Sequence, residues 1–125
     1  MNDRVSITVE NHVADVRLSR AEKMNALDPA MFQGIIAAGE ELAAMKGVRA
    51  VVLSGEGRSF CAGLDMASMA GGGANASGGG ANKLTDRTHG NANSFQQVAM
   101  LWRKLPMPVI AAVHGVRFGG GLQIA

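Results

Sequence analysis

Apolar and polar residues alternate strictly at the start of the chain. Val5, Ile7 and Val9 are interleaved with Ser6, Thr8 and Glu10, and Ala14, Val16 and Leu18 with Asp15, Arg17 and Ser19. A period of two belongs to a strand with one buried face. Asn11–His12 between the two runs predicts a tight turn, and so a hairpin. The period then changes to that of a helix. Asp28 followed by Pro29 pairs a capping carboxylate with a proline at the first helical position. Met31, Phe32, Ile35, Ile36, Leu42 and Met45 keep one face apolar through Lys46, and Gly47 is the expected stop. Gly34 and Gly39 each weaken such a helix by about 1 kcal/mol relative to Ala, which points to close packing against a neighbour.

Val51–Leu53 is a short apolar run bounded by Ser54-Gly55-Glu56-Gly57 and reads as a central strand. Small residues follow in Ser59-Phe60-Cys61-Ala62-Gly63-Leu64-Asp65-Met66, where the backbone can approach another group closely. Residues 71–80 hold six glycines in ten positions. Such a stretch buries too little surface to offset the entropy of ordering it, so a mobile excursion is expected over about 68–90. Phe95, Val98, Leu101, Trp102 and Leu105 share one face of a helix starting near Ser94, which Pro106 and Pro108 end. Val109–Val113 reads as a fully buried strand. A turn at His114–Gly115 and a second helix, opened by Gly119-Gly120-Gly121, come after it. Strands alternating with helices predict an α/β fold with some parallel pairing.

Composition narrows the function. The net charge of +2, 4% aromatic residues and lack of any basic cluster give nucleic acid little to bind. No apolar run approaches the roughly 18 residues that span a bilayer. The first residues carry no apolar signal region, so no membrane partner is expected and a cytoplasmic location is the default. One cysteine and three scattered histidines provide neither a disulfide framework nor a metal cluster.

The glycines from 119 to 121 carry the chemistry. A strand feeding glycines into a helix leaves unpaired N–H groups pointing one way, and the helix dipole adds partial positive charge there. Read alone, this is either a tight strand-to-helix junction or a place for an anion or a developing oxyanion.

Three blocks make the chain resemble the N-terminal half of the enoyl-CoA hydratase/isomerase (crotonase) superfamily. They are Leu18-Ser19-Arg20-Ala21-Glu22-Lys23-Met24-Asn25-Ala26-Leu27, then Gly57-Arg58-Ser59-Phe60-Cys61-Ala62-Gly63-Leu64-Asp65-Met66, then Pro108–Gly115 through Gly121. The resemblance implies a crotonase-like spiral of strand-strand-helix repeats, assembled as a homotrimer or a dimer of trimers. On this reading residues 1–125 are the first part of one domain whose second half is absent, and the segment alone is expected to fold poorly. The implied substrate is an acyl-CoA thioester, with coenzyme A as part of the substrate and no separate cofactor or metal. The implied shared chemistry is stabilisation of a thioester enolate by two backbone N–H groups, by position those of Ala62 and Gly120. Lys23 and Ala26 match positions lining coenzyme A, and Ala62, Gly63, Leu64 and Asp65 match the stretch around its adenine and pantetheine.

One departure is plain. Where the hydratases place a glutamate three residues beyond the central glycine, this chain has Gln123. An amide hydrogen-bonds but cannot exchange a proton at neutral pH. Standard two-glutamate hydration is therefore doubtful, and two alternatives stand: an enoyl-CoA isomerase using one base from beyond Ala125, and a catalytically silent acyl-CoA-binding protein. Other residues invite blander readings. Cys61 is a small packed side chain, His114 a strand-end residue bonded locally, His89 a solvated loop residue, Asp65 a helix cap and Trp102 part of a core or interface. Lys23 is either a solvated lysine or a phosphate contact.

Overall fold

A computed structural model describes residues 2–70 and 87–125. The expected hairpin is present as β1 (Val5–Glu10) and β2 (Val13–Leu18), antiparallel with Val5 opposite Leu18 and Glu10 opposite Val13. Asn11 and His12 both have positive φ, 51° and 66°, the geometry of a two-residue turn that matches strand twist. Helix α1 (Pro29–Ala44) starts as expected, with the Asp28 side chain accepting from the Met31 N–H at 2.8 Å. It ends two residues before Lys46. Met45 turns extended so that its side chain packs on the core, and Gly47 takes the left-handed turn farther on. There the Gly47 carbonyl meets His12 Nδ1 at 2.8 Å, tying the hairpin turn to the exit of α1.

Strand β3 (Ala50–Gly55) pairs parallel with β2, and β4 (Val109–Ala111) pairs parallel with β3, giving the sheet order β1-β2-β3-β4. Each parallel step needs a crossover. Helix α1 supplies the first. The second includes α2 (Met66–Ala70) and α3 (Ser94–Lys104). Asn93 and Gln96 close a reciprocal cap on α3, a signal the sequence reading did not use. The core lies between Ala14, Val16, Leu18, Val51 and Leu53 of the sheet and Met31, Ile35, Ala38, Leu42, Leu101 and Trp102 of the helices. Gly39 is where α3 comes close: a Cβ there would stand 2.5 Å from Leu101 Cδ1. Strand β4 corrects the expected buried run. It has three residues, pairs on one side only among the described residues, and leaves Ile110 59% exposed.

The stretch expected to be mobile, 68–90, lies mostly outside the described residues. Its near end belongs to α2, and at its far end His89 and Ala92 pair through backbone hydrogen bonds of 2.9 and 3.2 Å. His89 is half-buried, with Nδ1 2.8 Å from Thr88 Oγ1. None of the helices among the described residues is long and apolar enough to cross a membrane.

Two polar devices fix the loops to this frame. The first is Asn25, fully buried at 0% exposure with φ of 55°. The two hydrogens of its Nδ2 are shared among the carbonyls of Glu56 (2.9 Å), Ser59 (2.9 Å) and Phe60 (3.1 Å), while Oδ1 accepts from the Arg20 N–H at 2.8 Å. The second is a chain of charges. Arg4 meets Asp28 at 2.8 Å, Asp28 lies 3.5 Å from Arg20, and Arg20 meets Asp65 at 2.6 Å. The Arg20 guanidinium, foremost by its hydrogen bond, holds the Asp65 carboxyl below the usual carboxylate range, with the Ala67 N–H helping and burial opposing.

Gly55 sits under the Asn25 clasp. A Cβ there would meet Asn25 Nδ2 at 2.7 Å and Phe60 Cα at 2.9 Å. Gly55→Ala is expected to destabilise the protein by about 1–3 kcal/mol, read from the denaturant midpoint. Gly90→Ala meets nothing within 4 Å, and is expected to cost only the left-handed strain of about 1 kcal/mol. The Asp65 shift has a definite sign. Because the folded carboxyl titrates below its unfolded value of about 3.9, its contribution is present above that pH and lost as pH falls through and below it. Asp65→Asn should therefore be less stable at neutral pH, with a flatter loss of stability below about pH 4 than the parent. Parallel acid slopes in the two proteins would contradict this.

Candidate active site

The three sequence blocks meet in space. The first places a one-turn 3-10 helix, Ala21–Lys23, before the left-handed pair Met24 (φ 49°) and Asn25. Two consecutive non-glycine residues in that region cost about 1–2 kcal/mol each, which marks the loop as held by its surroundings. The second block runs between the first and the third. On one side Cys61 pairs parallel with Arg117: its N–H reaches the Val116 carbonyl, and its own carbonyl accepts from the Phe118 N–H, both at 3.2 Å. On the other side Leu64 pairs parallel with Leu27. The Leu27 N–H donates to the Gly63 carbonyl at 2.7 Å, and the Asp65 N–H to the Leu27 carbonyl at 3.0 Å.

This register decides which N–H groups are occupied. Ala62, expected as a donor, already gives its N–H to the Met24 carbonyl at 2.9 Å. Gly63 has φ of 89°, in the region that favours glycine. In a parallel bridge the central residue points its own N–H away from the partner, so the Leu64 N–H faces away from Leu27. It has no acceptor among the described residues. A Cβ on Gly63 would stand 2.7 Å from the Phe118 carbonyl oxygen and 3.9 Å from the Gly119 nitrogen. Only a glycine lets the second block lie this close to the residues that open α4 (Gly120–Ile124).

Helix α4 begins as the triple glycine predicts. Gly119 is the cap, the Gly121 N–H reaches the Phe118 carbonyl at 2.8 Å, and the Gln123 N–H reaches the Gly119 carbonyl at 3.1 Å. The Gly120 N–H has no acceptor among the described residues. Gly121 packs directly on the Cys61 backbone, leaving no room for a side chain. Two unpaired backbone donors, Leu64 and Gly120, thus lie on segments in contact with each other.

The other expected site residues take these places. Lys23 is exposed at the end of the 3-10 helix, and Ala26 is buried nearby with its carbonyl accepting from Arg20 Nη1 at 3.2 Å. Leu64 is 45% exposed, while Gly63 is buried. Asp65 is inward: Oδ1 caps α2 by accepting from the Ala67 N–H at 3.0 Å, and Oδ2 holds Arg20. Gln123 is exposed on α4 and borders a cleft of about 690 Å³ shared with Gly90, Ala92, Gln96, Met100 and Lys104. Cys61 is packed as expected. Burial pushes its thiol up, and Sγ donates to the Asn25 carbonyl at 3.1 Å. His114 is bonded, but not locally: its Nε2 donates to the Gly57 carbonyl at 2.7 Å, 57 positions back. Trp102 is core, with Nε1 donating to the Val98 carbonyl at 2.9 Å. No cluster of metal-ligating side chains occurs among the described residues. Asn25 and Arg20, which hold the blocks together, were missed as site residues.

The chain is similar to known proteins in sequence and in fold. The chain is 32% identical over 117 residues to the mitochondrial Delta(3,5)-Delta(2,4)-dienoyl-CoA isomerase of Mus musculus, a match covering 94% of this chain and 36% of that protein. It is 34% identical over 125 residues to the (E)-benzylidenesuccinyl-CoA hydratase of Thauera aromatica, covering 97% and 43%. Among solved structures, an enoyl-CoA hydratase/isomerase from Xanthobacter autotrophicus Py2 superposes with a TM-score of 0.80 at 28% identity, over 99% of this chain and 43% of that one. An enoyl-CoA hydratase from Mycobacterium smegmatis gives 0.78 at 29%, over 98% and 44%. The sheet and its helices are those of the crotonase fold, and the chain spans less than half the length of these relatives. The family model described as enoyl-CoA hydratase/isomerase matches residues 8–125, and the chain belongs to that family.

Proposed function

We propose that this chain holds the thioester carbonyl of an acyl-CoA substrate between the N–H groups of Leu64 and Gly120 and stabilises the enolate formed there. The observation that carries this reading is the pair of unpaired backbone donors on segments locked in contact. A thioester enolate is a delocalised anion whose oxygen needs two donors from different directions. Backbone donors fixed in advance supply them without reorganisation, and are worth roughly 3–4 kcal/mol each in the transition state. Lys23, exposed near buried Ala26, suits the phosphates of coenzyme A. The acyl chain runs past Gln123 into the neighbouring cleft.

Gln123 favours isomerisation over hydration. It occupies the turn of α4 after Gly120 and carries no proton to exchange. A double-bond shift needs less than hydration does. One base takes a proton from C2 of a 3-enoyl thioester, the donors hold the resulting dienolate, and the proton returns at C4 to give the conjugated 2-enoyl thioester. That base comes from beyond Ala125. Both relatives above are named for reactions of CoA thioesters, one an isomerase and one a hydratase. A homotrimer or dimer of trimers is the assembly that goes with this reading.

The protein is expected to convert a 3-enoyl-CoA to its conjugated isomer, seen as rising thioester-conjugated absorbance, faster than it hydrates crotonyl-CoA. Clear hydration with Gln123 intact would defeat the isomerase preference, and coenzyme A binding with neither turnover would leave a silent binder. Proline is compatible with the first position of a helix. Gly120→Pro, which removes that N–H, should therefore lower turnover about 10²–10³-fold. Gly120→Ala keeps the N–H and meets only Leu27 Cδ1, at 2.7 Å, so it should stay much closer to the parent. Equal losses in the two variants would show that the N–H is not the operative group.

A further inference from the structure

Arg20 and Asp65 have no role in the reaction proposed above, yet they form the shortest ion pair among the described residues, at 2.6 Å. Their side chains are 11% and 9% exposed, so neither is available to a ligand as a surface charge. Where they attach is informative. Leu64 is held by two backbone bonds to Leu27, one through the Gly63 carbonyl and one through the Asp65 N–H. Arg20 grips both sides of that ladder: Nη1 donates to the carbonyl of Ala26, the residue before Leu27, at 3.2 Å, and to Asp65 Oδ2 at 2.6 Å. The same nitrogen lies 3.5 Å from Asp28 Oδ2, at the cap of α1. Asp65 is gripped from its other side as well, since Oδ1 accepts from the Ala67 N–H.

We infer that the Arg20–Asp65 pair is a positioning device for the Leu64 N–H, clamping the short ladder from which that donor projects. The role follows from placement. The ladder has one neighbouring backbone bond, from the Ala62 N–H to the Met24 carbonyl, and it lies before Gly63; on the Asp65 side the Arg20 contacts are what keep its register. Without the clamp the Leu64 N–H is anchored from the Gly63 side and by the single Asp65–Leu27 bond alone. The charge of each partner is secured by the other: Asp65 is held ionised by Arg20, and its remaining bonds are to N–H groups that open α2. Asp65, matched by sequence to the coenzyme A stretch, thus acts inward through Leu64. The inference rests on the reading of Leu64 as an oxyanion donor for its functional consequence, but not for its structural content.

Both hydrogen bonds Arg20 makes in this clamp come from the single nitrogen Nη1, while Nε is buried without an acceptor. A lysine ammonium, with three donors on one nitrogen, can therefore substitute, which supplies a conservative variant. Arg20→Lys, Arg20→Met and Asp65→Asn are compared with the parent by three readouts: turnover of the enoyl-CoA substrates, affinity for free coenzyme A, and the backbone ¹H–¹⁵N resonance of Leu64. A bound β-ketoacyl thioester, acetoacetyl-CoA, reports the oxyanion site directly through the near-ultraviolet absorbance of its enolate. Misplacing a donor should lower kcat on the order of 10- to 100-fold in Asp65→Asn and Arg20→Met, with coenzyme A affinity within about twofold of the parent. The enolate absorbance per bound ligand should fall and the Leu64 resonance shift or broaden, while Arg20→Lys restores both. Should Arg20→Met fail to fold, Asp65→Asn, which keeps the shape and the cap to Ala67, carries the test with Arg20→Lys. An unchanged Leu64 resonance in folded Asp65→Asn overturns the inference whatever the substrate. So does a parallel loss of kcat, coenzyme A affinity and stability, which is what a merely structural pair would give. A shifted Leu64 resonance with no enolate signal in the parent overturns the oxyanion reading and leaves the clamp in place.

Discussion

A single buried carboxamide, that of Asn25, is the interaction on which the site depends. The segments around residues 20–27 and 56–65 are not strands of the main sheet, and short isolated bridges are all the regular pairing they have among the described residues. Asn25 makes up for this. Its one side chain bonds three carbonyls from residues 56–60 and one N–H of the first block, and its backbone carbonyl takes the Cys61 thiol. Each bond is worth about 1 kcal/mol net, but leaving those groups buried and unpaired costs about 1–3 kcal/mol apiece. The left-handed conformations of Met24 and Asn25 are tolerated because these bonds over-determine them.

From that clasp the pairing of the first two blocks follows. With the first block held, Met24 presents its carbonyl to Ala62, and Leu27 presents both of its backbone groups to Gly63 and Asp65. Among the N–H groups without an acceptor in the described residues are that of Leu64 on one segment and that of Gly120 on the next. Gly55, Gly63, Gly115 and Gly121, where a Cβ would collide with another segment's backbone, line the same path from β3 through the second block to α4. Glycine is used there for contact between backbones, so that two segments lie against each other without a side chain between them. The helix dipole of α4 adds to the positive potential at Gly120.

Much of this was legible in the residues. The alternation in Val5–Leu18, the Asp28-Pro29 start and the prolines after Leu105 placed elements to within a residue or two, because each reports a local preference. The start of α4 at Gly120 was legible for the same reason: glycines after a strand announce a helix. That the Ala62 N–H is already bonded while the Leu64 N–H is not was hidden. It depends on the register of the second block against Leu27 and on the left-handed Gly63 between them, both properties of contacts across more than thirty positions. Asn25 and Arg20 looked like ordinary polar loop residues, since burial cannot be read from one polar letter. The run at Val109–Val113 was legible in part: three of its five residues form β4, while Ile110 and Val113 are exposed in a chain that spans less than half the length of its relatives.

Gln123 gives the site its particular character. On the proposed reading, two oxyanion donors work near an amide that can orient a ligand but cannot move a proton, so the stabilising and the proton-transferring functions are separated. The central claim is that two backbone donors polarise a thioester carbonyl. It is tested most directly by the infrared difference spectrum of a bound acyl-CoA carrying ¹³C at the thioester carbonyl. Hydrogen bonds from both Leu64 and Gly120 predict a carbonyl stretch moved to clearly lower frequency than in water, with most of that displacement lost in Gly120→Pro. A bound thioester whose carbonyl stretch stays at its solution frequency would contradict the account.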